Sequence, residues 1–172
     1  MKTNPGLFVV SLAMAVSGEL APRDDSGQGY NLGNSGKGYN PGKSLVAFSA
    51  NRGVEGSRGK LGFGKTLTSL GGGWNGRTGE FRAPARGTYV FSWSAVSGLQ
   101  PPAVNNLLLA LMLNELEQAS SWADRHQTAS GTAILTLRRG DVVYLRILEG
   151  HVYEPRSNSD RGYTAFSGHR IG

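Results

Sequence analysis

Residues 63–93 of the chain have the sequence FGKTLTSLGGGWNGRTGEFRAPARGTYVFSW, which indicates the fold class most directly. At its end, large aromatic residues alternate with smaller ones, so Tyr89, Phe91 and Trp93 share one face of a predicted strand. Gly87 opens that strand, and glycines interrupt the segment before it. The period of two therefore indicates β-structure.

The same period continues toward the C-terminus. Val143, Leu145 and Ile147 lie on one face of a second predicted strand, and Ala133, Leu135 and Leu137 do so in the strand before it. The short polar segment 138–141 between them predicts a hairpin. Many short strands with glycine and proline turns favour an all-β sandwich or jelly roll.

One segment is ambiguous. Residues 107–118, LLLALMLNELEQ, are rich in helix formers, and propensity alone predicts a helix. The leucines at 107, 109, 111 and 113 equally fit a strand that is buried on both sides. Periodicity does not decide between the two.

The N-terminus predicts export. Lys2 precedes the apolar run 7–16, and small residues at 17 and 18 suit cleavage, so 1–18 is interpreted as a signal peptide and the protein as secreted and extracellular. The alternative is a buried N-terminal strand. Residues 19–43 are glycine-rich with little apolar content, which predicts a flexible spacer without a collagen repeat. The chain has no cysteine, which excludes thiol catalysis, thiolate zinc sites and disulfides.

Aromatic and glycine residues recur at fixed spacing from residue 63 onward. They are Phe63, Trp74, Phe81, Gly87, Tyr89, Phe91 and Trp93, and the small polar Ser69 lies at a further position of the same pattern. This pattern resembles the signature of the complement C1q globular-head family, with Ser69 and Trp93 departing from its strict form. The resemblance extends over residues 44–172, where Gly140 and Asp141 match a later turn and Phe166 a final strand.

The resemblance implies a ten-stranded jelly-roll sandwich of the C1q and tumour-necrosis-factor type, assembled as a homotrimer. It implies that the aromatic residues form core and interface and do not form a ligand cage. It also implies that 107–118 is a strand running into a turn at Asn114. Glu115 stands where the family usually has glycine, so we expect a less regular turn.

Two motifs suggest other functions. Residues 59–66, GKLGFGKT, match the phosphate-loop pattern, but the glycines at 71–73 cannot continue the helix that phosphate binding needs, so we interpret them as a glycine-rich loop. Residues 139–141 are Arg-Gly-Asp at a hairpin tip, which is either an adhesion motif or a turn sequence. The three histidines, His126, His151 and His169, lack the spacing of a metal site or a catalytic triad.

Calcium is a possible ligand, since relatives of the family bind it near the trimer axis. The corresponding loops offer Asp124 with Gln127 and Glu149 with Glu154. Calcium takes six to eight oxygen ligands, so this set is a sparse one. The sequence requires no other cofactor.

The formal net charge of +6 directs attention to the arginines. Arginine binds carboxylates and sulfates with two hydrogen bonds at once. We expect ligand contacts from Arg156 and Arg161 first, and then from Arg138, Arg139 and Arg125.

Together these features predict a non-enzymatic, lectin-like or pattern-recognition protein whose trimeric head binds acidic or sialylated glycans or microbial surface ligands. The alternative is an extracellular matrix or biomineral-associated structural protein whose spacer supplies cohesion. Deletion of 19–43 discriminates between them, because a lectin retains binding and a matrix protein loses cohesion.

Overall fold

A computed structural model of the chain describes residues 45–54, 57–98, 106–154 and 162–171. These residues form eleven β-strands and no helix, so none of them forms a helix that could span a membrane. The strands are β1 (Ala47–Gly53), β2 (Ser57–Lys60), β3 (Phe63–Leu70), β4 (Trp74–Asn75), β5 (Glu80–Arg82), β6 (Gly87–Val96), β7 (Leu107–Leu113), β8 (Leu116–Ala123), β9 (Thr128–Leu137), β10 (Val142–His151) and β11 (Ala165–Arg170). The predicted signal peptide and spacer lie outside the described residues.

The strands form two antiparallel sheets, as expected for a jelly roll. The first sheet has the order β3-β1-β11-β6-β9. The second has the order β4-β5-β10-β7-β8, with β2 also paired to β10. The described residues form one strand more than the expected ten, and the segment between β3 and β6 contains two short ones, β4 and β5. Gly71, Gly72, Gly73 and Gly79 all have positive φ, which other residues rarely adopt.

Aromatic side chains fill the space between the two sheets. Phe48 stacks on Trp74 with ring centroids 4.3 Å apart, and its ring also contacts Phe81 and Phe166. Phe91 is fully buried. The interpretation of the aromatic signature as core is therefore confirmed by the packing, with Trp74 only partly buried at the margin.

The ambiguous segment 107–118 forms two strands joined by a two-residue turn. Asn114 and Glu115 have φ values of 47° and 68°, so the turn keeps positive φ at both central positions despite the missing glycine. Asn114 compensates by hydrogen bonding: its backbone N–H donates to the carbonyl of Val142 (3.0 Å), and its Oδ1 accepts from the Val142 N–H (2.9 Å). The ladder is irregular further along, at a bulge between Leu111 and Met112.

The phosphate-loop match lies in two strands. Its first residues belong to β2 and its last to β3, and no helix follows. Lys60 forms an ion pair with Glu80 and lies 4.2 Å above the ring of Tyr144. The motif therefore lies mainly in strands and not in the expected glycine-rich loop, and Leu67–Leu70 continue β3 where phosphate binding would need a helix.

Candidate ligand-binding surfaces

The antiparallel register gives the sandwich two distinct ends. At one end β1 begins, β11 ends and Gly87 pairs with Leu137; we call this the basal end. At the other, Val96 pairs with Thr128 and β1 ends at Gly53; we call this the distal end. Each end gathers side chains from strands that are far apart in sequence.

The basal end gathers five arginines from three segments. They are Arg82, Arg86, Arg138, Arg139 and Arg170, which we call the basal arginine cluster. Hydrogen bonds join the first segment to the turn that carries the second: the Ala83 N–H donates to the carbonyl of Asp141, and the Gly140 N–H donates to the carbonyl of Ala83, both at 2.8 Å. These segments are distant in sequence, and the fold brings them together.

Two of these guanidinium groups are fixed by backbone carbonyls. Arg82 donates from Nη1 to the carbonyl of Gly140 (3.1 Å), and Arg170 donates from Nη2 to the carbonyl of Arg86 (2.9 Å). Arg138 and Arg139 are exposed, and no carboxylate in the described ranges forms an ion pair with either. Within the part of the chain that the structure describes, these two arginines therefore present exposed positive charge without an ion pair.

The carboxylate of Asp141 lies in the same turn as Arg138 and Arg139 and already has hydrogen-bond partners. Oδ2 of Asp141 accepts from the Arg138 N–H (2.7 Å), and Oδ1 accepts from Nδ2 of Asn114 (2.9 Å). These hydrogen bonds and the charge of Arg138 hold the pKa of Asp141 below its usual value. Because the aspartate already has these partners, the geometry favours the turn interpretation of residues 139–141 over adhesion.

Other predicted ligand contacts lie elsewhere. Arg125 is exposed in a turn at the distal end, where its N–H donates to Oδ1 of Asp124 (2.9 Å). Arg156 and Arg161 lie outside the described residues, so their role stays a prediction. Of the predicted arginines, Arg138 and Arg139 are the two that the fold brings together with further basic residues.

The predicted calcium ligands do not form a group. Asp124 and Gln127 are exposed in one turn, while Glu149 contacts Nδ2 of Asn106 at 3.5 Å. No three histidine or acidic side chains within the described ranges come together as a possible metal site. The four residues therefore fit a calcium ion poorly, and calcium binding stays a prediction.

Glu154 has a different environment from the other acidic residues. It is only 8% exposed, and its carboxylate accepts three backbone N–H groups. Oε1 accepts from Gly53 (3.0 Å) and Thr164 (2.7 Å), and Oε2 accepts from Tyr163 (3.0 Å). A carboxylate has about four acceptor positions, so little capacity remains for a metal. Glu154 instead ties the end of β1 to the segment that leads into β11.

Beside Glu154 lies an aromatic group that the sequence analysis missed. The rings of Tyr153 and Tyr163 stack at 5.8 Å, and His126 meets Tyr153 edge-on at 6.4 Å. We call these three residues the distal aromatic cluster. The only signal in the sequence is a tyrosine at each side of a polar segment, and the two tyrosines become neighbours only after folding.

Comparison with known proteins shows which families and structures this chain is similar to. The family model described as C1q domain matches residues 47–171. Caprin-2 of Danio rerio is 36% identical over 132 residues, which cover 72% of this chain but only 14% of that relative's own length. The chain therefore corresponds to a small part of that protein.

Solved structures agree on the fold. The globular domain of zebrafish complement 1qA protein superposes with a TM-score of 0.56 and 21% identity, covering 74% of this chain and 98% of that one. Murine APRIL gives a TM-score of 0.57 at 11% identity, covering 75% and 100%. Eiger TNF from S. frugiperda gives 0.55 at 12% identity, covering 76% and 94%. At these identities the likeness shows the fold alone.

Proposed function

This chain belongs to the C1q domain family, and on that premise we propose that it is a secreted binding protein without enzymatic activity. Its head assembles as a homotrimer and binds acidic glycans or microbial surface ligands. The observation that carries the proposal is the basal arginine cluster, in which five arginines lie at one end of the sandwich and the nearby carboxylate of Asp141 is already committed. Such a surface attracts polyanions.

Arginine suits this role because its planar fork binds a carboxylate or sulfate through two parallel hydrogen bonds. A single exposed contact is weak, on the order of 1 kcal/mol or less. Several copies of the site strengthen binding, because three linked heads on a repetitive surface bind with much greater avidity than one. The proposal therefore depends on assembly.

Two features support a trimer. The chain has no cysteine, so burial between subunits is an alternative source of stability to disulfides. The face of the first sheet that points away from the core carries small hydroxyl side chains, including Ser92 and Thr132, whose oxygens are 3.0 Å apart. Ile134 on the same face is 65% exposed. A face of small side chains with an exposed aliphatic residue suits close subunit contact.

The proposal is tested by measuring binding of the secreted protein to immobilised dextran sulfate and polysialic acid as salt is raised. We expect a steep loss of binding, because screening shortens to about 3 Å at 1 M salt. The double variant R138Q/R139Q should bind about tenfold more weakly at low salt, since each of three heads loses two contacts. Arg77→Gln, an exposed arginine outside the cluster, is the matched control.

A flat response to salt contradicts electrostatic recognition. An equal loss in the control and the double variant contradicts the assignment to the basal end. Light scattering on each variant, carried out alongside, excludes a change in assembly as the cause of weaker binding.

A further inference from the structure

The distal aromatic cluster is exposed, unlike the aromatic core. Tyr153 and Tyr163 are 41% and 43% exposed, although they stack with an interplanar angle of only 18°. The ring of His126 stands perpendicular to that of Tyr153, at 89°. Within the described residues the ring of Tyr153 contacts the other two, and none of the three contacts a core ring. Packing of the core therefore does not account for them.

The backbone holds the rings in place. The Tyr153 N–H donates to the carbonyl of Val96 (2.9 Å), beside a bridge between Ser97 and Val152. The Tyr163 N–H donates to the buried carboxylate of Glu154 (3.0 Å). Both tyrosines are thus fixed at their backbones, which lowers the conformational entropy that this part of the protein must lose when a ligand binds.

The surroundings define the chemistry of a ligand. The turn beside His126 carries Asp124, Arg125 and Gln127, all exposed and able to hydrogen bond to hydroxyl groups. An aromatic face attracts partial positive charge. Asp124 and Arg125 carry opposite charges in this turn, so the local surface favours neither a cation nor an anion. The C–H bonds on the face of a neutral sugar ring satisfy both conditions.

We propose that the distal aromatic cluster binds the face of a neutral pyranose, with the ring lying against Tyr153 and Tyr163 and its hydroxyl groups reaching the 124–127 turn. This site is separate from the basal arginine cluster. Its ligand needs no negative charge, and its binding does not depend on salt. The failure of either proposal leaves the other standing.

The test measures saturation-transfer NMR between the full secreted protein and four neutral sugars: methyl β-glucoside, methyl β-galactoside, cellobiose and lactose. We expect transfer to the C–H protons of one ring face, with upfield shifts, and the same signal at about 1 M salt. Tyr163→Ala should weaken binding about tenfold or more, whereas Tyr163→Phe should retain it within about twofold because the ring remains.

Two control variants test whether sugar binding belongs to the distal aromatic cluster. Trp122, 58% exposed on β8, is an aromatic residue outside the cluster, so Trp122→Ala should bind sugar as the wild type does. R138Q/R139Q should also be unaffected. Absence of transfer from all four sugars overturns the proposal, as does an equal loss in Trp122→Ala. A change of mass in Tyr163→Ala with sugar binding intact overturns it as well, since the cluster is then a subunit contact.

Discussion

Replacement of Glu154 tests how the distal end is built. The side chain is buried and connects two segments, the end of β1 through the N–H group of Gly53 and the segment before β11 through those of Tyr163 and Thr164. Glu154→Ala removes all three acceptors at once. Gly53 and Thr164 are buried, so their N–H groups lose a partner where water does not replace it easily.

The size of the effect follows from this geometry. An orphaned buried N–H costs about 1–3 kcal/mol, and the more exposed Tyr163 can turn to water, so Glu154→Ala should lower the free energy of unfolding by about 3–5 kcal/mol. Glu154→Gln keeps one carbonyl oxygen. If that oxygen takes the position of Oε1, it serves Gly53 and Thr164, and the amide N–H₂ faces the Tyr163 N–H. The expected cost is then about 1–2 kcal/mol.

Urea unfolding at one fixed protomer concentration measures both values, since assembly links stability to concentration. Glu149→Gln is the control, because that exposed carboxylate has one long contact, and its change should stay within about 0.5 kcal/mol. Hydrogen exchange should show faster exchange at Gly53 and Thr164 in the alanine variant only. Equal destabilisation by the alanine and glutamine variants would refute this account, as would no change in either.

Four further predictions concern the core, the basal turn and assembly. Phe91→Ala should cost about 3–5 kcal/mol in urea unfolding and disrupt the fold, because the ring is fully buried; normal folding with loss of ligand binding alone would make it a binding residue. Gly131→Ala should cost about 1–3 kcal/mol in the same assay, because a Cβ there would lie 2.3 Å from the Trp93 ring. Asp141→Asn should destabilise the domain at neutral pH, and the difference should narrow as pH falls below 3.8, since a lowered carboxyl pKa stabilises only above the folded value. Light scattering of the full chain should give about three chain masses, and a stable monomer at micromolar concentration would contradict the proposed homotrimer.

The sequence predicted the core better than it predicted the surfaces. Alternation placed Phe91 and Val143 correctly because a strand with one buried face carries that information locally. It did not resolve β7, where Leu108, Ala110 and Met112 face away from the inter-sheet core yet Ala110 and Met112 are still buried, beside Tyr144. A strand that is apolar on both faces loses the alternation, so only the resemblance indicated a strand there.

The surfaces depend on contacts between distant segments. Arg170 joins the basal arginine cluster only because β11 pairs with β6, where Arg170 lies opposite Tyr89. We predicted Glu154 as a calcium ligand because its acidic side chain is visible in the sequence. Its three N–H donors, from Gly53, Tyr163 and Thr164, become its neighbours only after folding. Local patterns cannot contain such information.

The position of the two surfaces has a consequence for how the head acts. The basal arginine cluster and the distal aromatic cluster lie at opposite ends of strands β6 and β9, so one small ligand cannot touch both. In the proposed homotrimer, a threefold axis running along the strands would keep each set of three equivalent ends on one side of the assembly. We therefore expect an acidic polymer at the basal end and a sugar ring at the distal end to bind simultaneously. Raised salt should release the first and leave the second, and such a head would bridge a charged surface and a glycan.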